Sequence, residues 1–164
     1  MDTKDTERPA LAIYHANAKG TGCAARFAVI PAAIGVDGAL AVTLAPQLTV
    51  GNLHNGVFPR FDWEGAAIKA RLGFDDVCKV LEVLRGVVES IEDGKGLYHR
   101  SPAAALRIVF RHMIEPRPGY MLEFYRRDMA TDAESVARIY MGPGEALGLC
   151  SAIEGAMAAI AFGV

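Results

Sequence analysis

An α+β fold of two β-β-β-β-α repeats, with antiparallel sheets and helices packed on one side, follows from three features of the sequence. From Ala66 to Leu72 the chain alternates, setting Ile68, Ala70 and Leu72 against Ala67, Lys69 and Arg71. That is the period of a strand with one buried side. Past Gly73, the residues Val77, Val80, Leu81, Leu84, Val87, Val88 and Ile91 recur at helical spacing. Lys79, Glu82, Arg85 and Glu89 stay outside the stripe, which predicts a helix to about Glu92. The unit then returns near the C-terminus. Setting Gly73 on Gly142, a shift of 69 residues, aligns Leu72 with Met141, Ala70 with Ile139, Asp76 with Glu145 and Leu84 with Ile153 without a gap.

Taken in order, residues 1–10 read as a flexible tail and 11–164 as a single domain, with repeat 1 at about 19–92 and repeat 2 at about 95–162. Leu11 to His15 is a short edge strand, and Asn17 to Gly22 a turn. Cys23 to Ile30 alternates with Phe27 and Val29 on one side and Arg26 on the other, and Pro31 ends it. Ala39 to Ala45 turns Leu40, Val42 and Leu44 inward. Pro46 to Pro59 lacks periodicity and holds Gly51, Asn52, Asn55 and Gly56, so it reads as a long loop, followed by a short strand from Val57 to Trp63. Asp75 or Asp76 suits the cap of the first helix, and Glu92 to Gly96 is its stop.

In the second half, Ala103 to Met113 faces Leu106, Ile108 and Phe110 inward and Arg107, Val109 and Arg111 outward. Pro116 to Gly119 is a turn. Tyr120 to Arg127 returns with Leu122 and Phe124 in, and Glu123, Tyr125 and Arg127 out. Val136 to Met141 is the last strand, with Arg138 and Tyr140 outward. Pro143 opens the second helix, which runs to about Ala161. Glu145 and Glu154 are its only charges. A helix so apolar is normally buried on more than one side, and a second copy of the chain is the expected cover. The residues assigned to that interface are Leu147, Cys150, Ile153 and Met157.

The 164 residues suffice for one domain with a sizeable core, and 52% hydrophobic with 22% charged places the chain in the globular class. Three scattered cysteines with no CxxC pattern fit a reduced, cytoplasmic protein. No apolar run nears the about 20 residues of a bilayer span. The formal net charge of −2 advertises no anionic partner, but the distribution does. Arg26, Lys69, Arg71, Arg107, Arg111, Arg127 and Arg138 fall on outward strand positions with Tyr125 and Tyr140, while the acids gather on the helices and their ends. Cations that follow phosphates and rings that stack bases suit an unpaired strand. The plainer reading is an open sheet face of solvated arginines.

The order of elements narrows the choice. Lys19-Gly20-Thr21-Gly22-Cys23-Ala24-Ala25 opens the first strand, and Phe61-Asp62-Trp63 leads into Ile68 to Leu72 and its helix. Ala104 to Ile108 and Gly119 to Phe124 form a later hairpin, and a last strand enters an apolar helix. From about Lys19 to Phe162 this resembles the Whirly family of single-stranded DNA-binding proteins, and more broadly the superfamily with transcriptional coactivators and kinetoplastid guide-RNA-binding proteins. The resemblance implies sheets that hold single-stranded DNA or RNA, association through the helices, and no catalysis. The family's opening motif has a second lysine tied to higher assembly. Thr21-Gly22-Cys23 stands in that region here, so Lys19 alone is carried over, with Phe61 and Trp63 from the aromatic segment. Arg60 beside them suits a phosphate contact.

Other signals point to little. Gly142-Pro143-Gly144 with Gly148 lacks the spacing of a dinucleotide turn. His15, His54, His99 and His112 have no metal-ligand spacing, so no metal or cofactor is expected. Tyr98-His99-Arg100 reads as a loop gripping a nucleotide or as an exposed turn. The competing functions are a homo-oligomeric structural or interaction module that has lost nucleic-acid binding, and an enzyme or small-molecule binder using the 46–59 loop.

Overall fold

The computed structural model describes residues 8–164. Most of the expected tail, 1–7, lies outside the described residues. The first half contributes β1 (Ala10–His15), β2 (Cys23–Ile30), β3 (Ala39–Thr49), β4 (Arg60–Phe61), β5 (Ile68–Gly73) and then α1 (Phe74–Leu84). The second contributes β6 (Leu97–Arg100), β7 (Ala104–Met113), β8 (Gly119–Asp128), β9 (Glu134–Met141) and then α2 (Pro143–Phe162). Every pairing is antiparallel. The sheets run β1-β2-β3-β5, with β4 on the far end of β3, and β6-β7-β8-β9. Each half is therefore a four-stranded meander closed by a helix.

The two halves share one core. Phe27, Leu40, Val42, Leu44 and Ile68 from the first sheet meet Ile108, Phe110, Leu122, Phe124 and Ile139 from the second in a single buried cluster. Val77, Val80 and Val83 of α1 and Leu149, Ile153 and Ile160 of α2 fill it from the helices. α1 packs on β3 and β5 but also on β7, and α2 on β2 and β8. Each helix thus covers part of both sheets, and neither half is covered by its own helix alone.

Several local expectations change. β1 belongs to the first meander, so that repeat begins at Ala10 and not near Lys19. β3 continues through Pro46 to Thr49 because the Pro46 carbonyl accepts the Asp62 N–H at 2.8 Å. α1 stops at Leu84, not near Glu92: Gly86 takes a left-handed φ of 74°, and Val87 is left 70% exposed. A 3-10 turn at Ile91–Gly94 then returns Ile91 to the core. Neither Asp75 nor Asp76 caps α1, whose cap Gly73 makes no side-chain hydrogen bond. Val109, expected outside, is buried. α2 is also long and apolar enough by composition to cross a membrane, contrary to the expectation. Here its Ala146, Leu149, Cys150, Ile153 and Ile160 are buried.

The helices are tied by reciprocal contacts. Asp76 in the first turn of α1 hydrogen-bonds His99 of β6 at 2.8 Å, and Glu145 in the first turn of α2 hydrogen-bonds His15 of β1 at 2.8 Å. Asp76 and Glu145 are partners in the 69-residue alignment, so each half's helix grips the other half's first strand. Arg85 and Glu154, themselves 69 residues apart, pair with each other through Nε–Oε1 at 3.0 Å and Nη2–Oε2 at 2.5 Å. Reciprocal contacts between equivalent positions are the mark of a twofold relation.

The Arg85 guanidinium, helped by the Cys150 thiol, pulls the Glu154 carboxyl down from 4.5 to about 2. A depressed folded value adds stability that is fully present above the unfolded value and fades as pH falls through the folded one. Denaturant titrations should therefore find that Glu154→Gln flattens the loss of stability between pH 4.5 and about 2.

Candidate nucleic-acid interface

With the inner faces committed to the shared core, alternate residues of each strand must point away from it. On the first sheet the register places Arg26 of β2 beside Thr43 of β3 and Lys69 of β5, with Arg71 in the next row beside Ala41. Tyr14 of β1 pairs with Ala24, and its ring lies 5.6 Å from that of Phe61. The Arg26 guanidinium stacks 4.0 Å over Trp63. Asp62 fixes this aromatic segment by accepting the N–H groups of Gly65 and Ala66 at 2.9 and 3.0 Å. Arg60 on β4 is exposed, and Arg71 donates to the Asp37 carbonyl at 2.8 Å.

Lys19 sits in the turn between β1 and β2, and one buried side chain holds that turn. Gln47 Oε1 accepts from the N–H groups of Asn17 and Gly22 at 2.9 and 3.0 Å, while its Nε2 donates to the carbonyls of Asn17 and Thr49. A Cβ at Gly22 would lie 2.1 Å from the His15 carbonyl oxygen, so only glycine permits the closure.

The second sheet is more heavily paired. Tyr98, Arg107, Tyr125 and Val136 form one cross-strand row. The Arg107 guanidinium lies 5.5 Å from the Tyr125 ring and donates to the carbonyls of Lys95 and Gly94 at 2.8 and 3.1 Å. Carbonyls fix its position without neutralising its charge. Glu123, expected on the outside, is 7% exposed and gathers three neighbours. Arg111 and Arg138 reach it at 3.6 and 3.7 Å, and the Tyr125 hydroxyl donates to it at 2.7 Å. That bond, with some burial, raises the Tyr125 pKa. Arg127 pairs with Asp132 at 2.6 Å, and Tyr140 lies under Arg117 at 3.7 Å.

The expected residues therefore fall into two outward groups. Arg26, Phe61, Trp63, Lys69 and Arg71, with Arg60 at the margin, share the first sheet. Arg107, Arg111, Tyr125, Arg127, Arg138 and Tyr140 share the second. Among the described residues Lys19, Arg60 and Lys69 have no ion-pair partner, whereas Arg111, Arg127 and Arg138 do. Of the four α2 residues assigned to an interface, Leu147 is 74% exposed and Met157 half-buried against the core. Cys150 and Ile153 are corrected: the chain itself buries them, to 7% and 2% exposure.

One outward residue, Tyr14, gives no sign of its role when its segment is read alone, and two others, Tyr98 and Arg100, lie on a strand where a loop or turn is expected. Tyr14, Tyr98 and Arg100 belong to strands, and Tyr98-His99-Arg100 is neither loop nor turn but β6. The signal was present as a repeated tripeptide, Ile13-Tyr14-His15 and Leu97-Tyr98-His99. In each, the apolar residue enters the core, the tyrosine faces out and the histidine braces a helix. No group of three or more His, Cys, Asp or Glu side chains among the described residues is placed to hold a metal ion.

The architecture is that of several solved structures. WHY1 from Arabidopsis thaliana superposes with a TM-score of 0.71 at 14% identity, covering 94% of this chain and 86% of that one. The fold is Whirly-like. The plant transcriptional regulator PBF-2 gives a TM-score of 0.68 at 14% identity, over 93% of this chain and 82% of that one. A guide-RNA-binding protein complex bound to a gRNA gives 0.58 at 14% identity, over 96% and 94%. No protein-family model and no curated protein matches the sequence. At this distance the likeness is one of fold.

On the second sheet of this Whirly-like domain, Glu123 is the carboxylate shared by Arg111, Arg138 and Tyr125. Replacing it by Gln removes the charge that holds Arg111, Arg138 and the Tyr125 proton. Tyr125 in Glu123→Gln should then ionise at lower pH than in the wild type, read by tyrosinate absorbance. An unchanged titration would mean that burial alone sets the wild-type value.

Proposed function

We propose that this chain binds single-stranded nucleic acid, DNA before RNA, without catalysis and with little sequence preference, in transcription regulation or DNA maintenance. The carrying observation is that exposed rings and cations that keep their charge share the outward strand positions. Tyr14 and Tyr98 are 58% and 71% exposed, and Arg71 and Arg107 are held by carbonyls alone. Rings of this kind stack any base, and positioned guanidinium groups follow phosphates whatever the sequence. The Whirly-like fold supports the reading, since PBF-2 is described as a transcriptional regulator and another similar structure as a guide-RNA-binding complex. A cytoplasmic location, free of membrane, belongs to the same proposal.

One observation favours a second reading. Glu123 and Asp132 already sit against Arg111, Arg138 and Arg127, as in a structural or interaction module that had lost its ligand. Titration separates the two. Labelled oligo-dT and oligo-U should bind at micromolar or tighter affinity, duplex more weakly, with affinity falling steeply as salt rises. Trp63 is the only tryptophan and should report strand binding by a change in emission. No binding of either oligonucleotide at low salt leaves the interaction module as the function.

Self-association through α2, to a dimer or tetramer, completes the proposal. Leu147, Gly148, Ser151, Ala152, Gly155, Ala158 and Phe162 are exposed along its outer side. An apolar surface of this kind marks an interface. Leu147→Glu should lower the mass seen in sedimentation at micromolar concentration while leaving the melting temperature near that of the lowest oligomer. A monomeric wild type would refute the assembly.

A further inference from the structure

The internal twofold repeats more than the fold. A cleft of about 210 Å³ opens where β5 meets the ends of β6 and β7, lined by Lys69, Arg71, His99, Arg100 and Arg126. A second, of about 380 Å³, opens where the β1–β2 turn meets β8 and β9, lined by His15, Asn17, Thr21, Arg117, Arg138 and Tyr140. The 69-residue alignment carries Lys69 onto Arg138, Ala70 onto Ile139 and Arg71 onto Tyr140, and both members of each pair line their own cleft. His99 and His15 are likewise the equivalent histidines of the two tripeptides, each bonded to a first-turn acid of the opposite helix. These are one cleft built twice.

We propose that the two clefts are equivalent phosphate subsites, each seating one phosphodiester of a bound single strand; this rests on the nucleic-acid reading above. Neither lining contains a carboxylate, so a cation finds no acid there, while an anion meets cations and hydroxyl or amide groups beside a few apolar side chains. In the first, Lys69 and Arg100 have no ion-pair partner among the described residues, Arg71 is held by a carbonyl, and Arg126 meets Asp128 only at 3.8 Å. In the second, Arg117 lies over the Tyr140 ring and Arg138 meets Glu123 at 3.7 Å. Desolvated less than a tight pair, these cations remain able to accept a stronger anion.

The clefts belong to a polymer for two reasons. Tyr98 lines the neighbouring groove, which shares His99, Arg100, Leu106 and Arg126 with the first cleft, and Tyr14 is the equivalent exposed ring on β1. A phosphate seated in the cleft therefore sets its nucleoside beside a stacking surface. The second reason concerns polarity. A twofold axis reverses strand direction between the clefts, which would defeat any subsite that reads sugar or base orientation. A phosphodiester offers its two outer oxygens alike in either direction, so one cleft design serves both.

Anisotropy of labelled oligo-dT over a series of salt concentrations tests this with the full chain. Lys69→Gln with Arg100→Gln removes the two cations of the first cleft that have no partner, leaving Arg71 and Arg126, and Arg117→Gln with Arg138→Gln removes both arginines of the second. Each pair should weaken binding about tenfold and reduce the logarithmic salt slope by roughly 0.7 per phosphate lost, with wild-type melting. The charge-keeping pair Lys69→Arg with Arg100→Lys should retain the wild-type slope, and replacing chloride by inorganic phosphate at equal ionic strength should compete only weakly. Folded pair variants with an unchanged slope, or a loss confined to one cleft, would overturn the equivalent subsites while leaving strand binding intact. Inorganic phosphate that abolishes binding at millimolar concentration would assign the clefts to the free ion. A wild type that binds no oligonucleotide would overturn both this proposal and the reading beneath it.

Discussion

The molecule depends on a shared cover: neither sheet can bury its apolar face with its own helix. α1 closes the first meander yet packs on β7, and α2 closes the second yet packs on β2. The braces at the helix starts enforce the arrangement, because Asp76 and Glu145 each reach across to a histidine of the other half. A half alone would leave an apolar sheet face and an apolar helix face uncovered, and a four-stranded meander of this size gains stability only with such cover. The Arg85–Glu154 pair joins equivalent positions and so lies on the relation itself. Solvent screening keeps the stability it adds modest, and it also marks the symmetry.

The same constraint creates the functional surface. Burying alternate residues of the eight meander strands obliges the others to face outward, and there the chain places its cations. A net charge of −2 conceals this, since Asp75, Glu82 and Glu92 lie on or after α1 while Lys69, Arg71, Arg100 and Arg107 lie on strands. The sheet that carries Tyr98 and Arg107 is fixed from behind by Ile108, Phe110 and Phe124, all within the core. Its outer residues are therefore presented on a rigid surface rather than on loops, which suits recognition of a regular backbone.

How much of this is legible in sequence follows from which signals are local. Strand alternation and the 69-residue alignment located β5, α1, β9 and α2, because one-sided burial leaves a period that needs no knowledge of partners. The end of α1 at Leu84 was misplaced because Val87 and Val88 continue the apolar spacing although Gly86 has already turned the backbone. Pro46 looked like a strand end, but its carbonyl is used by Asp62 from a distant loop. Cys150 and Ile153 looked like interface because an all-apolar helix gives no sign of which side its own chain covers. The Tyr14 and Tyr98 pair is the instructive failure. Leu11 to His15 reads as a strand but Leu97 to Arg100 is only four residues long, and only reading the two tripeptides against each other shows the tyrosines as one position used twice.

Glu123 carries the argument one step further. A carboxylate so buried beside two arginines costs desolvation that its ion pairs only partly return, and an apolar residue would pack the sheet as well. Its position instead gathers Arg111, Arg138 and Tyr125 around one carboxylate. At 3.6 and 3.7 Å the ion pairs are long, so the guanidinium groups are oriented more than they are consumed. Orientation reduces the side-chain entropy lost when a phosphate arrives. The cost is a weaker field at the surface. A face organised this way trades strength of attraction for definition of geometry, and the first sheet, whose Lys69 and Arg60 lack such an acid, supplies the attraction.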